Sequence, residues 1–372
     1  MSPSFALGSK MTTHIWLRAE TKPSEARVPL VPKGAAALLE KGFTLTVECS
    51  HQRCISDEAF SEVGCELAVK GSWTTAPRDA FVLGLKDLPA QRSPLAHRHI
   101  YFGHAYKGQP GWRDTLQRFV QGDGSLYDLE FLVDDDNRRV AAFGYWAGFA
   151  GTAVAVKTWC QQQLNDAARP ISPYPTKQAL LSDIRPQLDS AIDAAGKKPR
   201  IIVIGAKGRT GTGAVDLAKT LNLETTEWDI AETKTGGPFD AILEHDIFVN
   251  CVLVFSKIPP FLTLESIKAS TRQLTVVSDV SCDPYGDLNP IPIYDKVTSF
   301  KAPTLRIIGG DRPLDLSAID NLPSLLPLEA SEDFASQLLP SLLQLDKPDS
   351  GVWARALAVF DRKILELKED KL

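Results

Sequence analysis

A glycine-rich turn between an apolar run and a helical run constrains this chain more than any other stretch. Four β-branched residues, Ile201 to Ile204, lead into a G-x-x-G-x-x-G spacing that begins at Gly205, and the segment from Ala214 onward is typical of a helix. A strand, a glycine turn and a helix N-terminus form the usual cradle for a diphosphate in α/β proteins, because glycine lets the backbone come close and free helix N–H groups face the anion. The strict motif is G-x-G-x-x-G, so a plain structural turn stays open as an alternative.

A carboxylate ends the next predicted strand at a position that bears on the choice of cofactor. The strand is predicted over 224–229 and ends on Asp229. A dinucleotide fold places an acid about 20 residues after the glycines, where it bonds the adenosine ribose hydroxyl. A carboxylate there repels a 2′-phosphate and favours NAD over NADP. Lys207, Arg209 and Lys234 lie nearby and could pair with that phosphate, which keeps NADP open.

The order of predicted elements divides the 372-residue chain into two α/β units. Strands and helices alternate over the first 135 residues, a Gly/Ala-rich helix follows at about 144–165, and a second run of strands begins at Ile201. We expect two Rossmann-like domains with parallel sheets and an interdomain cleft where cofactor and substrate meet. Residues 1–140 plus about 328–372 are predicted to form the substrate-side (catalytic) domain, and 141–327 the NAD-binding domain, because chain termini often lie close together.

Composition argues against several classes of protein. The net charge of −5 provides no electrostatic reason to expect nucleic acid or an anionic membrane. The six cysteines show no metal-ligand spacing, so we expect no metal, and with no signal segment they favour a reduced, cytoplasmic protein. The uncharged stretch Val140 to Val156 is at the lower limit for a bilayer span and is predicted to be a buried helix. Residues 1–13 are predicted to be a disordered tail.

Cationic side chains gather where the predicted strands of the first domain end. The polar residues at or near those ends are Arg18, Lys22, Arg27, Lys86, His104, Lys107 and Glu130. Open α/β sheets place their sites at such ends, and several cations suit a substrate with more than one carboxylate. Lys86 and His104 stand out because each follows an apolar strand, where a polar group either serves a site or costs stability. Taken singly, each lysine could equally be a solvated surface charge.

Two loops of the second domain are candidates for cofactor contact. The segment Asp279 to Asp283 follows a predicted strand, near the expected place of a nicotinamide. The segment Ser317 to Leu322 is a candidate cofactor loop, and on sequence grounds alone it could equally be a helix cap.

Several sequence segments, each more specific than the glycine turn, resemble one protein family. Together they extend over nearly the whole chain. They lie at 18–27, 71–79, 84–87, 104–107, 126–132, 138–144, 172–175 and 322–327. They are similar to strings of the fungal saccharopine dehydrogenases of the NAD-dependent, lysine-forming type. The related alanine dehydrogenase and transhydrogenase families share the two-domain plan and the opening pattern Glu-x-Arg-Val-Pro-Leu-Val-Pro, here Glu25 to Pro32, so that pattern alone does not discriminate.

The resemblance implies that saccharopine, NAD and water become L-lysine, 2-oxoglutarate and NADH, the last step of lysine biosynthesis by the α-aminoadipate pathway. By resemblance, Lys86 and His104 form the acid–base pair. The implied substrate contacts are Arg27, Lys86, Gln109, Arg139, Phe143, Ser281, Cys282 and Asp283. The implied cofactor contacts are Arg138, Gly208, Arg209, Asp229, Thr233, Val280, Ile319, Asp320, Asn321 and Leu322. Electrostatic tuning of the pair is implied for Lys22, Lys107 and Glu130.

The resemblance also implies a monomer that binds small molecules, and the chain departs from the family in two details. Family members can carry a cysteine in the glycine loop that bridges the one matching Cys251; here the position is Thr210, so no such disulfide forms. The final Asp370-Lys-Leu differs by one residue from the S-K-L peroxisomal address, a weaker alternative to the cytoplasm. Two other functions stay open: an alanine dehydrogenase-like activity on a small 2-oxo acid, and an NAD-binding sensor without turnover.

Overall fold

Two six-stranded sheets organise the chain, each in its own compact unit. A computed structural model describes residues 12–89, 92–254 and 256–369. The first unit comprises the described residues up to Ala142 together with those from Ser331 onward, and the second unit runs from Phe143 to Ala330. The expected α/β fold class is confirmed by these sheets and their helices. The predicted C-terminal address lies outside the described residues.

The first sheet is parallel throughout and has the strand order of a doubly wound fold. Its strands are β1 (His14–Leu17), β2 (Thr44–Glu48), β3 (Glu66–Ala68), β4 (Phe81–Leu83), β5 (Arg98–Tyr101) and β6 (Ser125–Asp128). The helices between them are α1 (Pro32–Glu40), α2 (Asp57–Glu62) and α3 (Trp112–Gly122), and a 3₁₀ turn spans Ser72–Thr75. The order β3-β2-β1-β4-β5-β6 reverses direction between β1 and β4, where such folds form a crevice at the carboxyl ends.

The second unit begins with a buried helix and contains a mixed sheet. Its helices are α4 (Gly144–Gln163), α5 (Lys177–Ala195), α6 (Arg209–Thr220), α7 (Ile230–Thr233) and α8 (Asp240–Leu243). Its strands are β7 (Ile201–Ile204), β8 (Thr225–Trp228), β9 (Ile247–Asn250), β10 (Val276–Asp279), β11 (Leu305–Ile308) and β12 (Leu314–Ser317), with 3₁₀ turns at Ser266–Lys268 and Leu322–Leu325. The order is β11-β12-β10-β9-β7-β8, and only the edge strand β11 pairs antiparallel with its neighbour.

Two further helices, α9 (Pro327–Leu342) and α10 (Gly351–Glu369), end the described chain, and α10 completes the core of the first unit. Trp353 of α10 is buried and meets the ring of Tyr127 on β6 edge-on, with 5.9 Å between ring centroids. Phe360 lies against Phe119 of α3 in the same way. A single parallel sheet must be covered on both faces, so these late helices are part of the fold of the first unit.

Close helix contact explains the small residues of α4. A Cβ added at Gly148 would lie 1.8 Å from the carbonyl oxygen of Thr210 on α6, and one added at Gly213 would lie 1.9 Å from the carbonyl oxygen of Tyr145. The two helix backbones therefore touch where each has a glycine. Burial of the segment from Gly148 to Cys160 confirms the predicted buried helix. None of the helices in the described ranges combines the length and apolar character that crossing a bilayer demands.

Several predicted boundaries are wrong. The β4 strand ends at Leu83 and β5 at Tyr101, so Lys86 and His104 each lie three residues beyond a strand. The β6 strand ends at Asp128, although the apolar run continues to Val133, and this places Glu130 in the following turn. The α6 helix begins at Arg209 rather than Ala214, and β12 was not predicted. Thr12 and Thr13, the described end of the predicted disordered tail, hydrogen-bond to Thr44.

Candidate functional sites

The glycine turn after β7 has the backbone geometry of a diphosphate cradle. Gly205 adopts a left-handed φ of 83°, and the N–H groups of Gly205 and Ala206 both donate to the carbonyl oxygen of Trp228, at 2.9 and 3.0 Å. Gly208 is the N-cap of α6, where the first N–H groups of a helix have no partner within the helix. The backbone therefore folds back towards β8 and then continues into α6. The N-terminus of α6 carries the positive end of the helix dipole.

Each glycine of the turn has a separate structural reason. Gly205 supplies the positive φ, and a Cβ on Gly211 would lie 2.1 Å from the carbonyl oxygen of Gly205, so Gly211 allows the helix to pack against the strand end. A Cβ on Gly208 would meet only the oxygen of Gly205, at 3.4 Å, which leaves this glycine for close approach of a ligand. These are the three duties of the glycines in a dinucleotide-binding turn.

Asp229 stands at the end of β8 and joins it to the glycine turn. One carboxylate oxygen accepts the backbone N–H of Lys207 at 3.0 Å, and the other accepts that of Ile230 at 2.8 Å. Glu232 completes a capping box on α7 by accepting the N–H of Asp229 at 2.7 Å. Thr233, another predicted cofactor contact, donates its hydroxyl to the carbonyl oxygen of Asp229 at 3.0 Å. The structure therefore brings Asp229, Thr233 and the glycine turn together.

The loop after β10 is built on a buried carboxylate that the sequence prediction placed only at a loop edge. Asp279 is buried and accepts hydrogen bonds from Asn250 at 2.9 Å and from the hydroxyl of Tyr294 at 2.6 Å. Burial raises the pKa of Asp279, and these hydrogen bonds oppose the rise. The N–H of Cys282 also donates to Asp279, at 3.3 Å, and Cys282 has a left-handed φ of 52°. Asp279 thus fixes the turn that presents the predicted contacts after it.

The predicted substrate residues on this loop have packing partners of their own. Ser281 donates its hydroxyl to the carbonyl oxygen of Val252 at 2.6 Å, and the Cys282 thiol donates to that of Ala318 at 3.2 Å. Burial raises the pKa of the Cys282 thiol to about 12, with the negative charges of Asp320, Asp279 and Asp283 adding to the rise. A thiol with so high a pKa stays protonated at neutral pH and is therefore a poor nucleophile.

The segment at Ile319 to Leu322 is a strand exit that leads into a 3₁₀ turn. It follows β12, and Ile319 forms an isolated parallel bridge with Thr298. Asp320 is exposed, whereas Leu322 is buried. The side chain of Asn321 donates to the hydroxyl of Ser324 at 2.6 Å. Asn321 stands at the N-cap position of the 3₁₀ turn, but its side chain makes no capping hydrogen bond to the backbone. Contact of this segment with a cofactor stays a prediction.

A buried ion pair clamps the backbone that carries Lys86 in the first unit. Arg18 and Glu20 lie 3.4 Å apart and are both buried. One oxygen of Glu20 accepts the N–H of Leu85 at 2.7 Å and the other accepts that of Lys86 at 3.1 Å, while Arg18 donates to the carbonyl oxygen of Lys86. A Cβ on Gly84 would overlap the guanidinium of Arg18, so only glycine lets this pair reach the backbone.

A second buried pair forms in the loop after β1. Arg27 binds Glu25 through two side-chain N–H groups, at 2.8 and 2.7 Å, and both residues are buried. Burial by itself raises the pKa of Glu25, but the hydrogen bonds and charge of Arg27, together with the charge of Lys86, lower it below its ordinary value. The positive charge of Lys86 therefore acts on this carboxylate. Lys22 is exposed, and its carbonyl oxygen accepts the N–H of Glu25 at 3.2 Å.

Glu130 collects two of the predicted site cations. One of its oxygens accepts from Lys107 Nζ at 2.8 Å and from an Nη of Arg139 at 3.3 Å. The side chain of Gln109 accepts the backbone N–H of Lys107 at 2.9 Å. His104 is exposed and has a left-handed φ of 48°. The turns after β5 and β6 therefore hold Lys107, Gln109, Glu130 and Arg139 as one connected group in the first unit.

The remaining predicted residues lie at the ends of elements. Arg138 is exposed and reaches Asp136 at 3.7 Å, and Phe143 is the N-cap of α4. Arg209 is exposed at the start of α6. The side chain of Val280 packs on Gly151 of α4. In the ranges that the structure describes, no group of three or more His, Cys, Asp or Glu side chains is placed to hold a metal ion, and all six cysteines are free thiols.

Two buried carboxylates, Glu20 and Asp128, were missed by sequence reasoning, and a third, Asp279, was predicted only as the first residue of a candidate loop. Each is buried near the carboxyl edge of a sheet and accepts backbone N–H groups of neighbouring turns. In each case the sequence signal was an acidic residue at or shortly after the end of an apolar strand. A carboxylate buried there without partners would cost stability.

Comparison with known proteins finds relatives that extend over nearly the whole chain. The family model for the N-terminal domain of alanine dehydrogenase/PNT matches residues 16–150. A protein of Schizosaccharomyces pombe is 48% identical over 364 residues, which cover 95% of this chain and 99% of the relative. One of Yarrowia lipolytica is 47% identical over 361 residues, covering 95% and 98%. Both relatives bear the name saccharopine dehydrogenase (NAD+, L-lysine-forming).

A solved structure of an L-alanine dehydrogenase shares the fold. It aligns with a TM-score of 0.64 at 16% identity and covers 95% of this chain and 100% of that one. At this identity the likeness supports the fold and says nothing further about the substrate.

Proposed function

This chain belongs to the family of NAD-dependent, L-lysine-forming saccharopine dehydrogenases, and we propose that it catalyses the reversible oxidative deamination of saccharopine to L-lysine and 2-oxoglutarate. The observation that supports this most strongly is the 48% identity over nearly the full length of both chains to a relative with that name. The resemblance read from the sequence strings is thereby confirmed. The enzyme is an oxidoreductase, and NAD, the cofactor in the relatives' names, is its cofactor.

The residues of the second unit fit NAD. The N–H groups at Gly208 and the start of α6 would hold the diphosphate, with Arg209 beside them. Asp229 would hold the adenosine ribose: each of its oxygens already accepts one backbone N–H, and a carboxylate has about four lone-pair positions. When bound, NAD supplies the acceptor for the hydride that leaves the glutamyl Cα of saccharopine.

The first unit supplies the proton chemistry in this proposal. Saccharopine is a secondary amine that joins the ε-nitrogen of lysine to the Cα of glutamate. A neutral base must take the amine proton before oxidation, water then adds to the imine carbon, and protons move again as the carbinolamine collapses to lysine and 2-oxoglutarate. Two titratable groups suit these steps, and Lys86 and His104 are the proposed pair.

The surroundings of Lys86 suit a group that must be held in place while it exchanges protons. Its backbone is clamped on both sides by the buried pair of Arg18 and Glu20. Its positive charge helps to lower the pKa of Glu25, which links Lys86 electrostatically to the Glu25–Arg27 pair. We assign to Glu130 and Lys107 the tuning of this charge balance, because their 2.8 Å ion pair places a carboxylate among the cations.

The three carboxylates of saccharopine suit the cations of the first unit. Arginine binds a carboxylate through two parallel N–H groups, so Arg139 and Arg27 are the proposed substrate ligands there, with Gln109. For the second unit the proposed substrate contacts are Ser281, Cys282 and Asp283. We propose residues 1–140 plus about 328–372 as the substrate-side domain, and 141–327 as the NAD-binding domain.

A substrate-pair assay tests the function. NADH oxidation is followed with 2-oxoglutarate plus L-lysine, and separately with pyruvate plus ammonia. Oxidation with the first pair alone is the expected result. Turnover with the second pair alone would identify an alanine dehydrogenase-like enzyme, and tight NAD binding without turnover on either pair would identify a sensor.

The setting of the reaction is also proposed. We place it at the end of lysine biosynthesis by the α-aminoadipate pathway, in a monomeric cytoplasmic protein that binds small molecules. Light scattering should return a mass near that of one 40.7 kDa chain. Fluorescence microscopy of the chain with its own C-terminus distinguishes a cytoplasmic from a peroxisomal location.

A further inference from the structure

Asp128 ends β6 as a fully buried carboxylate that the roles assigned above do not use. Its relative exposure is 0%. The oxygen Oδ1 accepts the backbone N–H of Glu130 at 2.9 Å, which forms an Asx-type turn, whereas Oδ2 has no hydrogen-bond partner of normal geometry. A buried carboxylate with an unsatisfied oxygen costs stability, so its presence here calls for a reason other than stability.

On one side, Asp128 supports the turn that presents His104. Asp128 lies beside Tyr101 in the β5–β6 register, and the chain of β5 continues through Gly103. A Cβ on Gly103 would lie 3.2 Å from Oδ2 of Asp128, so this oxygen packs against the backbone of Gly103. The next residue is His104, in the left-handed conformation. The backbone that enters the His104 turn therefore rests on this carboxyl group.

On the other side, Asp128 fixes the turn of Glu130. The hydrogen bond to its N–H sets the direction in which the Glu130 side chain leaves the sheet. That side chain accepts from Lys107 at 2.8 Å and from Arg139 at 3.3 Å. One buried carboxyl group is thus hydrogen-bonded to the Glu130 turn and packed against the backbone that enters the His104 turn.

Electrostatics make a neutral form of Asp128 accessible. Burial raises its pKa to about 7, and the charge of Glu130 adds to the rise; the hydrogen bond from the Glu130 N–H and the charge of Arg139 oppose it. A neutral carboxyl group keeps a carbonyl oxygen that can accept the Glu130 N–H. Asparagine has the same size and the same acceptor, so it reproduces this neutral form.

We propose that Asp128 is a positioning residue for the proton chemistry, which holds the His104 turn and the Glu130 turn in one fixed arrangement at the carboxyl edge of the first sheet. The proposal rests on the proposed function and on the role of His104. Asp128 acts through the backbone of both turns and does not itself touch the reacting atoms.

A graded series of variants tests this. Asparagine keeps the acceptor, serine keeps a weaker one, and alanine removes it. We expect kcat to stay within about threefold of wild type for Asp128→Asn and to fall about 10- to 100-fold for Asp128→Ala, with Asp128→Ser between them. A small misplacement of catalytic groups produces an effect of this size. The KM values for lysine and 2-oxoglutarate should change by less than about threefold, because binding contacts remain.

Asp246 offers a matched control in the second unit. It is also buried and also accepts a backbone N–H, that of Arg200 at 2.9 Å, but it lies at the amino end of β9. Asp246→Ala should lower the melting temperature and leave kcat unchanged. If Asp128→Ala does not fold, a kcat of Asp128→Ser below that of Asp128→Asn supports the proposal, and equal values overturn it.

Three results would overturn the positioning role. They are a folded Asp128→Ala with wild-type kcat, an Asp128→Asn that loses as much kcat as Asp128→Ala, and a loss that appears in KM alone. His104→Ala is measured in parallel. If His104→Ala is inactive while the Asp128 series is flat, only this inference fails; if His104→Ala is fully active, the role proposed for His104 fails.

Discussion

Replacing Gly148 by alanine should wedge apart the two helices that carry the cofactor cradle. The added Cβ would lie 1.8 Å from the carbonyl oxygen of Thr210 and 2.8 Å from its carbonyl carbon. Both atoms belong to the backbone of α6, so no side-chain rotation relieves the contact, and the helices must separate by roughly 1.5 Å to reach ordinary contact distances. The perturbation therefore acts on the spacing of α4 and α6 rather than on a single side chain.

The magnitude follows from overpacking offset by helix propensity. Overpacking costs about 1–3 kcal/mol and occasionally more, and a backbone contact belongs at the upper end, while glycine to alanine in a helix returns up to about 1 kcal/mol. We expect a net loss near 2–3 kcal/mol, which for a unit of this size lowers the melting temperature by roughly 4–12 °C. Because Gly208 and Arg209 stand at the N-terminus of α6, the Kd for NAD should rise by at least about tenfold.

Calorimetry with and without NAD measures both effects, and Gly144→Ala is the matched control on the same helix. A Cβ at Gly144 would meet the hydroxyl of Thr210 at 2.9 Å, a side-chain atom that can rotate away. Gly148→Ala combined with Gly213→Ala should cost less than the sum of the single changes, since both wedge the same contact. A Gly148→Ala protein with the melting temperature and NAD affinity of wild type would refute the reasoning.

Three further predictions address the chemistry, the cofactor and the stability. Lys86→Ala and His104→Ala should each lower kcat about 100-fold with the Kd for NAD little changed; wild-type turnover in both would contradict their roles. Asp229→Ala should weaken NAD binding and reduce the difference between the Kd values for NAD and NADP. Asp229→Ser, which keeps the cap of α7, should have the same effect on binding with less loss of stability. A wild-type protein that binds NADP as tightly as NAD would contradict the role of Asp229. The pKa of His99 lies well below its ordinary value because burial, and then the charge of Arg18, disfavour its charged form. The unfolded chain therefore binds this proton more readily, so the free energy of unfolding should fall as the pH drops below about 6.5, and urea titrations of His99→Phe should show a shallower fall.

The sequence predicts the fold well because the signals for it are local. The apolar run from Ile201, its glycines and the helix after them specify a dinucleotide turn without any distant partner. Strand ends are harder to predict, because an apolar pattern reports burial rather than pairing. Gly84 and Leu85 are buried beyond the last paired residue of β4, so the apolar pattern continues up to Lys86 although the strand has ended. The β12 strand has only four residues and is defined by its pairing with β10, which no local pattern reveals.

The candidate site was predicted in its residue types more than in its connections. Asp128 and Glu130 are two residues apart and would face the same side of a continued strand, so alternation could not separate them. The end of β6 separates the two residues, because the strand ends at Asp128 and Glu130 lies in the turn that follows. Likewise, the clamp of Arg18 and Glu20 on Lys86 joins residues 66 or more positions apart, a relation that only the folded chain displays.

Two separate stretches of the chain form the first unit, and this has a consequence for its synthesis on the ribosome. The second unit is one continuous stretch, Phe143 to Ala330, and has left the ribosome before the segment that begins at Ser331 emerges. The first unit lacks Trp353 and Phe360 until then, although most of its residues are made earlier. The part translated first is therefore completed last, and its sheet must wait without the aromatic side chains of α10 while its neighbour in sequence already has all its residues. A nascent chain stalled when Ala330, but not the segment from Ser331, has left the ribosome should contain a protease-resistant second unit and a protease-sensitive first one.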